Sequence, residues 1–285
     1  MQAAVIIPHY NDTLRLGRCL AALMVQDVSA TEVVVVDNGS TESLSALVAA
    51  YPSVRFVTEP SKGAALARNR GVAETTAQHL FFLDCDCVPA PDWLAVAHRV
   101  APRADLIGGG IDLFDETPPP RSGAQAFEAV FAFDYRRYIE EKGFAVTANL
   151  LTTREVFTQT GRFVPGLSED LDWCHRARAR GYRLICAEDL RVGHPSRDDW
   201  AALERKWLRL TREGFGVNGA SPVSRAKWAA KALLMPLSIL AHVPKILRSA
   251  RLQGTRDRMA AIATLARLRA RRAGWMLRQA AGLPV

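Results

Sequence analysis

His79-Leu80-Phe81-Phe82-Leu83-Asp84-Cys85-Asp86-Cys87-Val88 is the stretch on which the fold turns. Leu80 to Leu83 form an unbroken apolar run, which reads as a strand buried on both faces, and such strands belong to parallel sheets covered by helices. Two carboxylates, Asp84 and Asp86, follow where the strand must end. The same order repeats upstream. Ala3-Ala4-Val5-Ile6-Ile7 is a strand stopped by Pro8, and Thr13 is expected to cap a helix carrying Leu16, Cys19, Leu20, Leu23 and Met24. Val33 to Val36 form a second strand ending in the turn signal Asp37-Asn38-Gly39-Ser40. A helix bearing Leu44, Leu47 and Val48 then leads to a third strand around Val54–Val57, and Ala64–Ala73 reads as helical. Strand and helix alternate throughout, which predicts an α/β fold with a mainly parallel, Rossmann-like sheet flanked by helices. Such sheets bind ligands at the carboxyl ends of their strands.

Beyond Gly108-Gly109-Gly110 and Pro118-Pro119-Pro120 the alternation is lost. One helix is expected from about residue 124 to 141, and another from Ser168 to Arg180 with Gly181 as its C-terminal glycine. After Trp200 the chain is helical and rich in Arg and Ala. Hydrophobic residues at 49% and charged residues at 23% are ordinary for a globular protein and exclude a disordered chain. The charge is unevenly placed. Residues 1–200 hold 20 Lys and Arg against 26 Asp and Glu, whereas residues 201–285 hold 17 against 3, a local excess of +14. This points to a polyanionic partner for the carboxy-terminal end. From Ala232 to Pro244 run 13 residues without Lys, Arg, Asp or Glu, interrupted by Pro236 and Pro244. That is short of the ~20 residues needed to span a bilayer. An interfacial helix, flanked by Lys227, Lys231, Lys245, Arg248 and Arg251, fits instead, so the partner is an anionic membrane surface. The plainer alternative is a core helix with a solvated basic rim. Aromatics are few in this segment and no nucleic-acid motif emerges, so no nucleic-acid partner is expected.

The five cysteines show neither paired zinc spacing nor a disulfide framework, and residues 1–7 lack a basic start. A reducing compartment follows: a cytoplasmic protein, peripheral on the inner face of the cell membrane. The expected division is one α/β domain over 1–215, split into halves at 1–110 and 111–215. A basic amphipathic helical membrane-associating segment over 216–285 completes it.

Pro8-His9-Tyr10-Asn11, Asp37-Asn38-Gly39-Ser40 and Asp84-Cys85-Asp86 all stand at strand ends, which a parallel sheet brings to one rim. Two carboxylates at i and i+2 can share one hard cation, Mn or Mg, which bridges the oxygens of a diphosphate. Such an ion neutralises the charge that develops on a leaving nucleoside diphosphate. An isolated Asp-x-Asp could equally begin a surface turn; its company at the other two strand ends decides for the metal.

Taken together, these residues resemble the family 2 glycosyltransferases of GT-A fold. The resemblance is carried by Val5-Ile6-Ile7-Pro8 with Asn11, Val36 to Thr41, Lys62-Gly63, Ala67-Arg68-Asn69 with Gly71, Phe82 to Asp86, Thr147-Ala148-Asn149, Glu169-Asp170-Leu171-Asp172-Trp173 with Arg176, Gly181-Tyr182, and His194. It runs from residue 3 to about 195; no single motif decides it, and their order and spacing do. It implies that Asp37 binds the nucleotide base, framed by Pro8, Tyr10 and Arg68, and that Asp84 and Asp86 hold ribose, metal and diphosphate. His194 would complete the metal shell. The pair Glu169-Asp170 makes Asp170 the general base on an acceptor hydroxyl, with Glu169, Trp173 and Asn149 on the acceptor side. A hydroxyl is a poor nucleophile until a positioned carboxylate takes its proton, which agrees. Read alone, the same acidic residues also suit a helix amino terminus electrostatically. The implied activity is metal-assisted transfer, with inversion, from a nucleoside diphosphate sugar to a glycan or lipid-linked acceptor, as in polysaccharide biosynthesis.

Two other readings compete. Asp84 and Asp86 also match the opening motif of haloacid-dehalogenase-like phosphatases, in which the first Asp is the nucleophile. That motif sits on the first strand of its fold, whereas here three strands precede it, and Asp198-Asp199 follows no apolar strand. The other is a non-enzymatic polyanion-binding protein built around the basic segment.

Overall fold

The structure, a computed structural model, describes residues 2–166, 168–218 and 221–285. In chain order its elements are β1 (Ala3–His9), α1 (Thr13–Met24), β2 (Thr31–Asp37), α2 (Ser45–Ala50), β3 (Arg55–Thr58), α3 (Ala64–Ala73), β4 (His79–Leu83), β5 (Val88–Pro89), α4 (Trp93–Val100) and β6 (Leu106–Phe114). There follow α5 (Gly123–Phe131), α6 (Tyr135–Glu140), β7 (Asn149–Thr153), α7 (Arg154–Thr160), α8 (Glu169–Ala179), β8 (Leu184–Pro195), α9 (Trp200–Asn218), α10 (Pro222–Leu234), α11 (Ser238–Leu247) and α12 (Gly254–Ala280). Packing divides the chain into one unit of Met1–Asp112 and Phe133–His194 and a second of Leu113–Ala132 and Pro195–Val285. The cuts follow contacts, whereas the expected boundary at 215 follows composition.

In the first unit the sheet order is β3-β2-β1-β4-β7-β6-β8-β5. β1, β2, β3 and β4 pair in parallel, with β1 between β2 and β4. β7 joins β4 antiparallel, β6 joins β7 antiparallel, and β5 pairs antiparallel with β8. The expected parallel sheet is therefore its first half, and the stretch that lost alternation supplies the mixed second half. Strands β1 and β4 read as continuous apolar runs because both faces are covered. Ala3, Val5, Ile7, Phe81 and Leu83 pack with α1 and α4, while Ile6, Leu80 and Phe82 pack with α3, α7 and α8. Each such Val, Ile, Leu or Phe contributes about 1.5–3 kcal/mol through burial, so the strand ends that carry the site are anchored in the core of this unit.

Glycine sets two close approaches here. A Cβ on Gly71 of α3 would fall 2.4 Å from Ile6 Cγ2 and 3.2 Å from Val36 Cγ2. Alanine in mid-helix gains about 1 kcal/mol over glycine in propensity, but overpacking a filled core costs about 1–3 kcal/mol, and Ile6 is wholly buried. Gly71→Ala is thus expected to destabilise the protein by up to about 2 kcal/mol, read as a lower denaturation midpoint at unchanged slope. An unchanged or raised midpoint would show that α3 can move off β1.

Two expected details differ. Thr13 opens α1 but does not cap it; its backbone N–H and hydroxyl donate to the Glu42 carboxylate at 3.0 and 2.7 Å. The single helix expected over 124–141 is two, because Phe133 takes a positive φ of 50° between α5 and α6. That turn lays the Phe133 ring against His194, centroids 4.5 Å apart.

The second unit is helical. Phe127 and Val130 of α5, Leu203 of α9, Ile246 of α11, and Ala261, Leu265 and Leu268 of α12 share one core, with a smaller one of Trp228, Ala232, Met235 and Met276. Glu128, 1% exposed, accepts from Lys206 Nζ and from Arg197 Nη1 and backbone N–H at 2.8–2.9 Å. Burial works against its charge, but the two cations outweigh it and hold the carboxyl below its ordinary range. The basic segment is thus not a loose tail: α12 builds this core. Its neighbours α10 and α11, with the turn that joins them, leave Leu233, Leu234, Leu237 and Leu240 between 61 and 75% exposed.

Candidate active site

The amino-terminal strand ends are locked together by polar side chains. His9 and Asp37 are register partners at the ends of β1 and β2. The wholly buried His9 ring accepts the Asp12 backbone N–H on Nε2 at 3.1 Å, which leaves Nδ1 to carry the proton toward Asp37 Oδ1 at 3.2 Å. Asp37 is thereby aimed as well as placed. Asn11, at a positive φ of 47°, accepts on Oδ1 from the Thr41 backbone N–H at 2.7 Å. Asn38 donates to the carbonyls of Glu59 and Ser61 and accepts from Gly63 N–H at 2.6 Å. These bonds satisfy backbone groups that no strand ladder reaches, and they make the rim rigid. Pro8 is half-buried there; Tyr10, 48% exposed, accepts from Lys62 Nζ on its hydroxyl at 3.2 Å.

Arg68 ties the two sides of the site. It is 4% exposed and donates from Nη2 to Asp84 Oδ1 at 2.5 Å and from Nη1 to Glu169 Oε1 at 2.8 Å. Burial opposes its charge; Asp84 and Glu169 outweigh burial and set its pKa above the ordinary arginine value. The neighbouring Asn69 holds the loop before α8 by a reciprocal pair with the Phe163 backbone, at 2.9 and 3.0 Å. Arg176 clamps the same loop through the carbonyls of Thr160 and Arg162.

The acidic pair is split in character. Glu169 is committed to Arg68, while Asp170 accepts the Leu171 backbone N–H at 2.8 Å. Asp170 lies one turn ahead of the buried Trp173 and Cys174, on the stripe of α8 that faces the sheet. Desolvation there, followed by the Glu169 charge, raises its pKa to about 6. A carboxyl poised near neutrality is what proton abstraction requires.

Asp86 meets His194, Oδ2 to Nε2, at 3.4 Å, and one potential ligand atom each from Asp86, Cys87 and His194 lies within 4.8 Å of the others. Asp84 is outside that group, its carboxylate turned to Arg68. Burial, then the charges of Asp86 and Asp84, pushes the Cys85 and Cys87 thiols well above the usual thiol range. Cys87 is wholly buried beside Asp86 and His194, and the carboxylate with the imidazole is the part of this group whose oxygen and nitrogen donors suit Mn or Mg.

Two expected acceptor-side residues are not at a surface. Trp173 is 0% exposed, packed with Phe157 and Phe163, its indole donating to the Gly161 carbonyl. Asn149 is 1% exposed, accepts from Trp93 Nε1 and donates to the carbonyls of Gly110 and Leu190. It fills space that only glycine leaves, since a Cβ on Gly109 would fall 2.1 Å from Asn149 Nδ2. Both residues build the scaffold, and the acceptor-side expectation is corrected for them. His9 is the reverse case, a positioning residue that the sequence reading did not single out. Its signal was being the last residue of β1, level with Asp37.

A family model described as Glycosyl transferase family 2 matches residues 4–168, a span that holds Asp37, Arg68, Asp84 and Asp86 and stops just before Glu169. Glycosyltransferase AglE of Haloferax volcanii is 29% identical over 86% of this chain and 83% of its own length. The pre-mycofactocin glycosyltransferase of Mycobacterium tuberculosis is 26% identical over 77% of this chain, which spans 47% of that protein. Among solved structures, the mannosyltransferase PcManGT of Pyrobaculum calidifontis, in complex with GDP-Man and Mn2+, superimposes with a TM-score of 0.57 at 18% identity, covering 100% of this chain and 76% of that one. S. aureus TarS 1–349, in complex with UDP-GlcNAc, gives 0.56 at 18% identity, covering 92% and 70%. At such identities the likeness is one of fold, and the fold is GT-A.

Proposed function

The chain belongs to glycosyl transferase family 2 and is a glycosyltransferase, and from that premise we propose that it moves a sugar from a nucleoside diphosphate donor to a glycan or lipid-linked acceptor, with inversion. The observation that carries this is the meeting of Asp37, Asp84, Asp86 and Asp170 in one unit, with buried Arg68 bonded to Asp84 and to the neighbour of Asp170. Asp37, held by His9, faces the base; Pro8, Tyr10 and Arg68 frame the nucleotide beside Asp84. Asp86 and His194 hold the divalent cation, and manganese suits a mixed oxygen and nitrogen set better than magnesium. When bound, that ion neutralises charge on the departing diphosphate. Inversion is supported by the side chains present: Asp170 can take the acceptor proton, while the nearby thiols are held protonated by burial. Family membership sets aside the phosphatase and scaffold readings of the sequence.

The test is a panel of nucleoside diphosphate sugars scored by melting temperature, with manganese, magnesium or chelator. A donor at ~100 times its dissociation constant stabilises the folded state by about 2.7 kcal/mol. One donor is expected to raise the melting temperature in a metal-dependent way. If none does, the donor class is wrong.

The same proposal places the protein on the cytoplasmic face of a membrane. Among the described residues no single helix is long and apolar enough to cross a bilayer; α10 and α11 pass that test only as a pair bent by 49°. Their exposed leucines, with Lys227, Lys231, Lys245 and Arg248 nearby in sequence, suit shallow insertion into an anionic surface. Truncation is a poor test, because α12 belongs to the core of its unit. Replacing Leu233, Leu237 and Leu240 together by Gln spares that core. The variant is expected to lose flotation with anionic liposomes, while the parent stays bound when salt is raised, since screening weakens only the charge part. Equal flotation of both would remove the membrane role of these leucines.

A further inference from the structure

The second unit holds two partly buried arginines that meet no carboxylate among the described residues. On the side of α12 that meets α9, Arg267 stacks on Trp200 with its guanidinium carbon 3.9 Å from the ring centroid, and Arg271 Nε donates to Glu204 at 2.7 Å. Arg269 and Arg272, one helical turn apart, have no ion-pair partner among the described residues. Arg269 donates from Nη1 to the Met235 sulfur at 3.1 Å, and its Nε is buried without a hydrogen-bond partner. Arg272 lies 4.4 Å over the Trp207 ring and, among the described residues, donates to the Thr211 hydroxyl at 3.4 Å. The Trp207 indole Nε1 is also buried and unpartnered.

A guanidinium cannot shed its proton to escape desolvation, so a partly buried one without a carboxylate gains from an added counter-charge. Desolvation pushes both arginines below the usual arginine range, and the Arg269 charge helps bring Arg272 down to about 10. Neighbouring cations, an orphaned guanidinium N–H and an orphaned indole N–H are the complement of a compact oxyanion.

We propose that Arg269 and Arg272, with the Trp207 indole N–H, form a binding site for a phosphate group. Two guanidinium forks can each engage a separate edge of a tetrahedral dianion, whereas a carboxylate offers one edge and one charge. Met235, which Arg269 touches, sits between Leu234 and Leu237, 61 and 62% exposed. The phosphate can therefore come from a lipid headgroup or be free in solution. The inference depends on neither the donor site nor the insertion of the leucines.

The experiment uses the full chain in chelator without nucleotide, so that no metal-dependent donor binding contributes, and titrates inorganic phosphate against chloride at constant ionic strength. A saturable rise in melting temperature is expected, with affinity at least about tenfold weaker in Arg269→Gln and in Arg272→Gln and lost in the double variant. Without phosphate, the double variant is expected to melt no lower than the parent, because two partly desolvated charges without a carboxylate partner are gone; a lower value would make the pair structural and overturn the site. No saturable shift in the parent, or a shift that the double variant keeps, would also overturn it. Arg272→Lys keeps the charge but loses the fork, and its weakened yet saturable binding covers the case in which the Gln variants fail to fold. Flotation separates the sources. Phosphatidylcholine vesicles carrying phosphatidic acid are compared with vesicles matched in charge by fatty acid. The double variant loses affinity for the first alone if the phosphate is a headgroup, and for neither if it is free phosphate.

Discussion

Asp170→Asn should bind donor as the parent does and lose transfer by about 10²–10⁴-fold, the usual worth of a positioned general base. The substitution keeps the shape of the side chain and its acceptance of the Leu171 N–H, and removes only basicity. Loss in kcat with an unchanged donor dissociation constant is the signature of an interaction made on the way to the transition state. The parent should also show an acid limb. Asp170, raised to about 6 by burial and Glu169, works only when ionised, so kcat/KM rises as pH increases through about 6 and levels above it. Glu169→Gln removes a like charge and frees the Arg68 guanidinium, and both effects lower the pKa of Asp170, so the limb moves to lower pH. Near-normal turnover in Asp170→Asn would pass the role to Asp172, whose carboxylate otherwise pairs with Arg176 at 2.9 Å.

Asp86→Ala is expected to cut transfer by on the order of 10²–10³-fold, several kcal/mol of charge stabilisation, and to abolish the metal dependence of donor binding. His194→Gln should weaken the metal response in the same direction. The fold should survive, because Asp86 follows β4 in a loop with a side chain 27% exposed. Asp84→Ala is a less clean comparison: it strips buried Arg68 of one counter-charge, and breaking such pairs costs up to about 3–5 kcal/mol. Comparing melting temperatures beside rates separates the two. Full activity of the parent in chelator would show that the reaction runs without a metal.

How much was legible follows the physics of each element. Strands β1, β2 and β4 were readable because burial on both faces writes a continuous apolar run, β3 at the sheet edge because it follows in the same alternation, and the polar residues at the strand ends marked Asp37, Asp84 and Asp86. Strands β6, β7 and β8 were not. β6 carries three consecutive glycines, and β8 mixes Arg and Glu among its apolar residues, so neither has a clean period. The break between α5 and α6 was likewise invisible, since it rests on one positive φ at Phe133 and a ring contact with His194.

Sequence order alone determined an α/β chain with acidic strand ends, because hydrophobic period and turn chemistry are local properties, and the glycosyltransferase activity came from its resemblance to a family and not from that period. Tertiary structure decided which of the acidic residues can do what. Glu169 and Asp170 are adjacent in the chain, yet only packing gives one to Arg68 and desolvates the other. Trp173 and Asn149 look equally fit for an acceptor wall in the sequence, and only the core shows them closed off. The basic segment read as charge, whereas its division into a packed α12, an exposed leucine face and an uncompensated arginine pair depends on which neighbours each side chain meets. Ionisation and burial depend on the partners and solvent around a group, and those partners are brought together from residues far apart in the chain.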